Sequence, residues 1–315
     1  MRLGLLALIV TLLPGVAGAS IGVEKTPLGG EEIAFSSEDG VSLMGNLFAP
    51  KGKAKAGIVF VHEPNRSSRD FAYLAEKMSR HGFAALVFDL RGHGKSLMRG
   101  DEELDREVFM DEDFQAMSQD LTAAVALLRE RVGDVPMHLA GSDLGGSLSL
   151  LHGIEDDGVA SVALLSPGLG YDGVNVLGQT KQYGNRPLLI VFSVEDGYAR
   201  KSAEVMGKEA TGPLHIETYY GVGHGSKMLA REPKLEVLMT SWFLGTVITS
   251  DGRALQDAGK PVAEGKDLQG AELDSAAEMK RLEDDRKKAE TERIGSGVGD
   301  DEERPRKRYS SDKDR

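Results

Sequence analysis

Two uninterrupted apolar runs limit what this chain can fold into. Ala56–His62 and Phe83–Asp89 lack the in–out alternation of a half-exposed strand, so each reads as a strand covered on both faces, and Val159–Leu165 and Pro187–Phe192 read as further strands. Segments with helical spacing separate them. Arg69–His81 places Phe71, Leu74, Ala75 and Met78 on one face and is stopped by Gly82. Asp111–Arg131 does the same with Phe114, Met117, Leu121, Val125 and Leu128. Strands at Pro136–Ala140 and Leu214–Tyr220 and helices at Asp143–Gly153, Ala199–Ala210 and Pro233–Leu244 continue the alternation. Upstream, Glu31–Ser37 and Val41–Phe48 read as an antiparallel pair turning at Glu38-Asp39-Gly40. This order predicts an α/β fold: a mostly parallel, twisted sheet of about eight strands with helices on both faces. Ligands meet such sheets at the carboxyl ends of the strands.

The two ends of the chain read differently. Residues 1–19 have the layout of a signal peptide: Arg2, then the apolar run Leu3–Leu13, the break Pro14-Gly15 and the small residues Ala17-Gly18-Ala19. An exported protein, periplasmic or secreted, is therefore expected. That apolar run is too short to span a bilayer, and no later stretch is long and apolar enough, so no stable membrane span is expected after cleavage. From 250 to 315 apolar periodicity fades and charges of both signs crowd together, which predicts a disordered charged tail. The folded domain is expected within 20–249.

Composition removes several chemistries. The chain has 315 residues and no cysteine, which excludes disulfides, thiolate nucleophiles, cysteine-ligated metals and a lipid-modified N-terminal cysteine. Its formal net charge of −12 argues against a nucleic-acid partner, because nothing basic is gathered to neutralise phosphates. His81, His138, His152 and His215 show no metal-ligand spacing, so no metal site is expected.

The chemistry-bearing feature is Gly141-Ser142-Asp143-Leu144-Gly145-Gly146, between a strand and a helix. A nucleophile elbow reverses the chain sharply and needs small residues two before and two after its apex. Centred on Asp143 those positions are Gly141 and Gly145; centred on Ser142 they are Ala140 and Leu144. The register favours Asp143, a residue type that tolerates a positive φ.

With this elbow on the page, the stretch from about 30 to 248 resembles the α/β-hydrolase superfamily, in a capless form similar to dienelactone hydrolases and serine aminopeptidases. The resemblance rests on His62-Glu63-Pro64-Asn65 at a strand end, on Phe88–Ser96 (FDLRGHGKS), on the elbow, on Ser193-Val194-Glu195-Asp196 and on Gly221-Val222-Gly223-His224-Gly225, in the family's order. It implies Asp143 as nucleophile, His224 as base and Asp196 as the acid orienting His224. It implies an oxyanion hole from the backbone N–H of Leu144 and, because Pro64 has no N–H, one from Glu63 or Asn65. The Glu63 side chain resembles the glutamate that dienelactone hydrolases keep beside their nucleophile. No cofactor is implied, and the partner is a small-molecule substrate.

Asp143 departs from the family's serine or cysteine. A carboxylate attacking an ester carbonyl would make an anhydride, which is uphill; displacing a leaving group at saturated carbon makes an ordinary ester. Epoxide hydrolases and haloalkane dehalogenases of the superfamily work that way. Three readings stay open: an aspartate nucleophile; a catalytically inactive binding protein that has lost its serine; or a hydrolase using Ser142 or direct water attack. His62 is a possible accessory and more readily a structural strand-end residue, and Glu195 is an alternative to Asp196. Arg91 is expected to pair with a carboxylate, and Trp242 to be packing. The connection Ser166–Arg186 is too short for a helical cap; its Tyr171 and Tyr183 could donate to a leaving oxygen, and the acidic stretch Asp101–Asp105 could form a small lid.

Overall fold

A computed structural model describes residues 29–245. The expected leader and charged tail lie outside them. The elements in order are β1 (Glu31–Ser36), β2 (Val41–Phe48), β3 (Ala56–Val61), α1 (Arg69–Arg80), β4 (Phe83–Phe88), β5 (Met98–Arg99), β6 (Glu102–Glu103), α2 (Asp111–Val132), β7 (Met137–Ser142), α3 (Leu144–Glu155), β8 (Val159–Leu165), β9 (Gly170–Tyr171), β10 (Val174–Asn175), β11 (Leu188–Ser193), α4 (Gly197–Glu209), β12 (Leu214–Tyr219), α5 (Lys227–Arg231) and α6 (Pro233–Phe243).

The main sheet runs β12-β11-β8-β7-β3-β4-β2, with β1 on the far side of β2. From β12 to β4 every neighbour is parallel; β2 is antiparallel to β4 and β1 to β2. The unbroken apolar runs now have a physical reason. In β3, Ile58 and Phe60 join one core with Phe71, Leu74 and Met78 of α1 and Leu238 and Trp242 of α6. Val59 and Val61 join the opposite core with Met117, Leu121 and Leu128 of α2 and Leu148 of α3. The same alternation continues through β4, β7, β8 and β11, so both faces of each strand are covered. At about 1.5–3 kcal/mol per fully buried aliphatic or aromatic side chain, these two layers supply the main stabilisation.

The loop after β4 holds itself together. Asp89 accepts the Ser68 and Lys95 amides, and His93 Nδ1 donates to the Arg91 carbonyl. Arg91 is buried and paired with Asp120, which is fully buried, and with Asp39. The acidic stretch after Arg99 does not fold as a lid. It makes the β5–β6 hairpin, which extends along β2 past the carboxyl end of β4 because Val41 and Ser42 still offer backbone pairing there. No hydrogen bond or ion pair among the described residues joins it to Asp143 or His224.

Segment 166–186 contains only the β9–β10 hairpin and a short 3-10 turn, with no cap. The hydroxyls of its tyrosines are committed to the backbone: Tyr171 donates to the Ser166 carbonyl and Tyr183 to the Pro187 carbonyl, and both rings are buried in the core. The expectation that they face a leaving oxygen is corrected on this point.

Candidate active site

Strand β7 ends at Ser142 and α3 begins at Leu144, leaving Asp143 alone between them with φ 52° and ψ −121°. Such a backbone is strained for a non-glycine residue. The surrounding glycines permit it. A Cβ on Gly141 would lie 2.1 Å from the Gly145 carbonyl oxygen, and one on Gly145 would lie 2.4 Å from that of Val61. Neither position can hold a larger residue, so the reversal is centred on Asp143. Ser142 is fully buried, and its hydroxyl has no hydrogen-bond partner among the described residues.

His224 closes the site. Its Nε2 lies 2.9 Å from Asp143 Oδ2 and its Nδ1 lies 2.6 Å from Asp196 Oδ2. Both side chains reach solvent at the surface, Asp143 at 17% and His224 at 29% exposure. Asp196 is fixed independently as the N-cap of α4, accepting the Ala199 amide. Glu195 is engaged elsewhere, accepting from Ser193 Oγ and from the Gly221 amide, so it does not substitute for Asp196.

These contacts set the direction in which each group is shifted. Burial opposes an imidazolium at His224, but hydrogen bonds and negative charge from Asp143 and Asp196 outweigh it and hold the pKa well above 6.5. Burial likewise opposes ionisation of Asp196, yet the His224 hydrogen bond and charge and the Ala199 amide keep its pKa below 3.8. Glu63 goes the opposite way: burial raises its pKa and the Asp143 charge adds to that, against His224 and the Ser226 amide. The directions of these shifts favour a charged imidazolium at His224 against an ionised Asp196 and disfavour ionisation of the buried Glu63.

A titration follows. Because the folded pKa of His224 exceeds its unfolded value, its contribution to stability is complete below the unfolded pKa of about 6.5 and fades as pH rises through the folded pKa. NMR titration of the ring should give a midpoint well above 6.5, and the stability difference from His224→Gln should shrink only above that unfolded value. A midpoint at or below 6.5 contradicts the doubly bonded geometry.

Comparison with known proteins bears on the fold. The profile of the family described as Serine aminopeptidase, S33 matches residues 52–191, which contain Glu63, Ser142 and Asp143 but stop before Asp196 and His224. Monoglyceride lipase of Rattus norvegicus is 28% identical over 117 residues, 37% of this chain and 36% of that protein. The chain thus matches about a third of the length of this curated relative. Dienelactone hydrolase from Anabaena variabilis superposes with a TM-score of 0.54 at 19% identity, covering 69% of this chain and 98% of that one. A thermostable carboxyl esterase from Bacillus coagulans gives 0.56 at 12% identity, covering 68% and 97%. The chain has the α/β-hydrolase fold.

Within this fold the remaining expected residues divide. Leu144 opens α3, so its amide has no carbonyl one turn earlier to bond. The loop carrying Glu63 lies against the same turn, since a Cβ on Gly145 would also meet the His62 carbonyl at 2.5 Å. Asp143 Oδ1 is buried and takes no hydrogen bond among the described residues, so neither expected oxyanion donor engages it in this state. His62 is structural: fully buried, it donates from Nδ1 to the Glu63 carbonyl and accepts the Leu90 amide at Nε2, stapling the ends of β3 and β4. Burial lowers its pKa, keeping it neutral.

Three residues escaped sequence reasoning. Ser226 donates its amide to Glu63 and its hydroxyl to Asp70, which also takes a bidentate pair from Arg66. Ser166, at the end of β8, accepts the Gly225 amide. None belongs to a spaced motif. The one available signal was position, since Ser166 directly follows a buried strand at the sheet's carboxyl end.

Proposed function

We propose that this protein is a hydrolase whose nucleophile is the Asp143 carboxylate, acting on saturated carbon in a small neutral substrate. One observation carries the reading: the residue at the apex of the elbow is a carboxylate held 2.9 Å from an imidazole that is itself oriented by Asp196. A carboxylate displaces a halide, or opens an epoxide, to give an alkyl ester on Asp143. Esterification removes the Asp143 charge, one of the groups holding the His224 pKa up. The ring then releases its proton and becomes the base that draws a proton from water for attack on the ester carbonyl. Amides near Leu144 and Glu63 would take up the oxyanion. The Tyr171 and Tyr183 hydroxyls are engaged, so an epoxide oxygen would take its proton from the His224 imidazolium beside Asp143, whereas halide leaves without one.

A binding protein on the same scaffold is the second reading. It draws on the occupied state of Asp143, with Oδ2 in an ion pair and Oδ1 buried. Panels of haloalkanes, epoxides and carboxylic esters separate the two. Turnover of the first two classes, lost by at least about a hundredfold in Asp143→Asn, supports the nucleophile. Ester hydrolysis gained by Asp143→Ser would show that the surrounding machinery is assembled. No turnover on any panel by either protein favours binding alone.

A further inference from the structure

The loops bearing Asp143 and His224 come from distant stretches of sequence, and both are tied to one point, the end of β8. The Leu165 carbonyl accepts the Asp143 amide at 3.0 Å. The next residue, Ser166, is fully buried, and its amide donates to the Val191 carbonyl of β11 at 2.7 Å. Its Oγ accepts the Gly225 amide at 2.9 Å, one residue beyond His224. Its carbonyl accepts the Tyr171 hydroxyl. Having taken the Gly225 amide as acceptor, the hydroxyl ties the residue after His224 to the end of β8.

The backbone makes the choice of serine informative. Ser166 has φ 48°, a conformation that glycine, asparagine and aspartate adopt more readily. A serine held there keeps a hydroxyl that glycine would lack. The partner loop is fitted just as closely: Gly225 has φ 59°, and a Cβ on it would lie 1.6 Å from Glu63 Oε2. The segment after His224 is thus pressed against Glu63 on one side and tied to Ser166 on another.

We propose that Ser166 is a positioning residue, its hydroxyl holding the Gly225 amide so that the His224 ring is kept between Asp143 and Asp196. It touches neither substrate nor reacting atoms and acts through the backbone of the His224 loop. The proposal rests on the reading of Asp143, His224 and Asp196 as one site, so its test includes a measurement that needs no turnover.

The test compares Ser166→Ala with Ser166→Gly in the full chain. Both remove the hydroxyl; only glycine also relieves the positive φ. The short Nδ1–H bond from His224 to Asp196 should give a far-downfield proton resonance in the parent, assigned by its loss in His224→Gln. The charged and titratable groups facing that ring are Asp143, Asp196 and Glu63. In both variants this resonance should move upfield or broaden, and the His224 midpoint should fall. With a substrate in hand, kcat should drop about tenfold in both with KM little changed. An unchanged resonance and midpoint in Ser166→Gly overturns the proposal, because any effect confined to alanine then belongs to the backbone. Moved resonances in a protein with no turnover would support the positioning role and count against the hydrolase reading.

Discussion

His224→Gln should turn a multiple-turnover enzyme into one that reacts once. Glutamine still hydrogen-bonds toward Asp143 and Asp196, but it cannot take a proton from water. The first displacement needs only the Asp143 carboxylate, so one equivalent of haloalkane or epoxide should be consumed per site, with one equivalent of halide released from the haloalkane. The second step should stall, and steady-state turnover should fall by about 100- to 10,000-fold. Mass analysis of the intact protein should find the added alkyl group, and peptide mapping should place it on Asp143. A variant that turns over at the parent rate, or is lost without an adduct, contradicts the two-step route.

The second large effect is on stability. Arg91 is 3% exposed and Asp120 is not exposed at all, and the guanidinium meets Asp120 through Nε and Nη2 while its Nη1 and Nη2 meet Asp39. Asp120→Ala leaves that cation in the core with only the half-exposed Asp39. Breaking a buried pair from one side costs about 3–5 kcal/mol, mostly because the remaining charge is uncompensated. Urea denaturation should show that loss, and replacing Arg91 and Asp120 together by apolar residues should recover much of it. Asp39→Ala should cost less, since its carboxylate is 27% exposed and water takes its place. An Asp120→Ala protein as stable as the parent would mean that the network is not the anchor of the loop after β4.

Much of the architecture was legible because it is written in local patterns. Strands such as Ala56–Val61 must be apolar at every position when both faces are covered, and helix α1 repeats its buried residues at helical spacing. The elbow register was legible for a steric reason: only Gly141 and Gly145 leave room for the reversal, and they bracket Asp143 rather than Ser142. Contacts that depend on side-chain direction were not legible. Tyr171 and Tyr183 have the right chemistry for a proton donor, but their rings are drawn into the core and their hydroxyls meet the nearest carbonyls. The acidic stretch was read as a cover because charge says nothing about strand pairing, whereas the free edge of β2 decided its place. Ser166, Ser226 and Asp70 were silent for another reason. Each works through a partner more than fifty positions away in sequence, and no periodicity records such a pairing.

The most direct test is a single turnover in water enriched in heavy oxygen, with enzyme in excess over substrate. If Asp143 forms the ester, the first alcohol or diol released carries an unlabelled oxygen from the carboxylate, and the peptide containing Asp143 gains one heavy oxygen. Label in the first product, with none in the Asp143 peptide, would mean that water attacks the substrate directly and that the carboxylate is not the nucleophile.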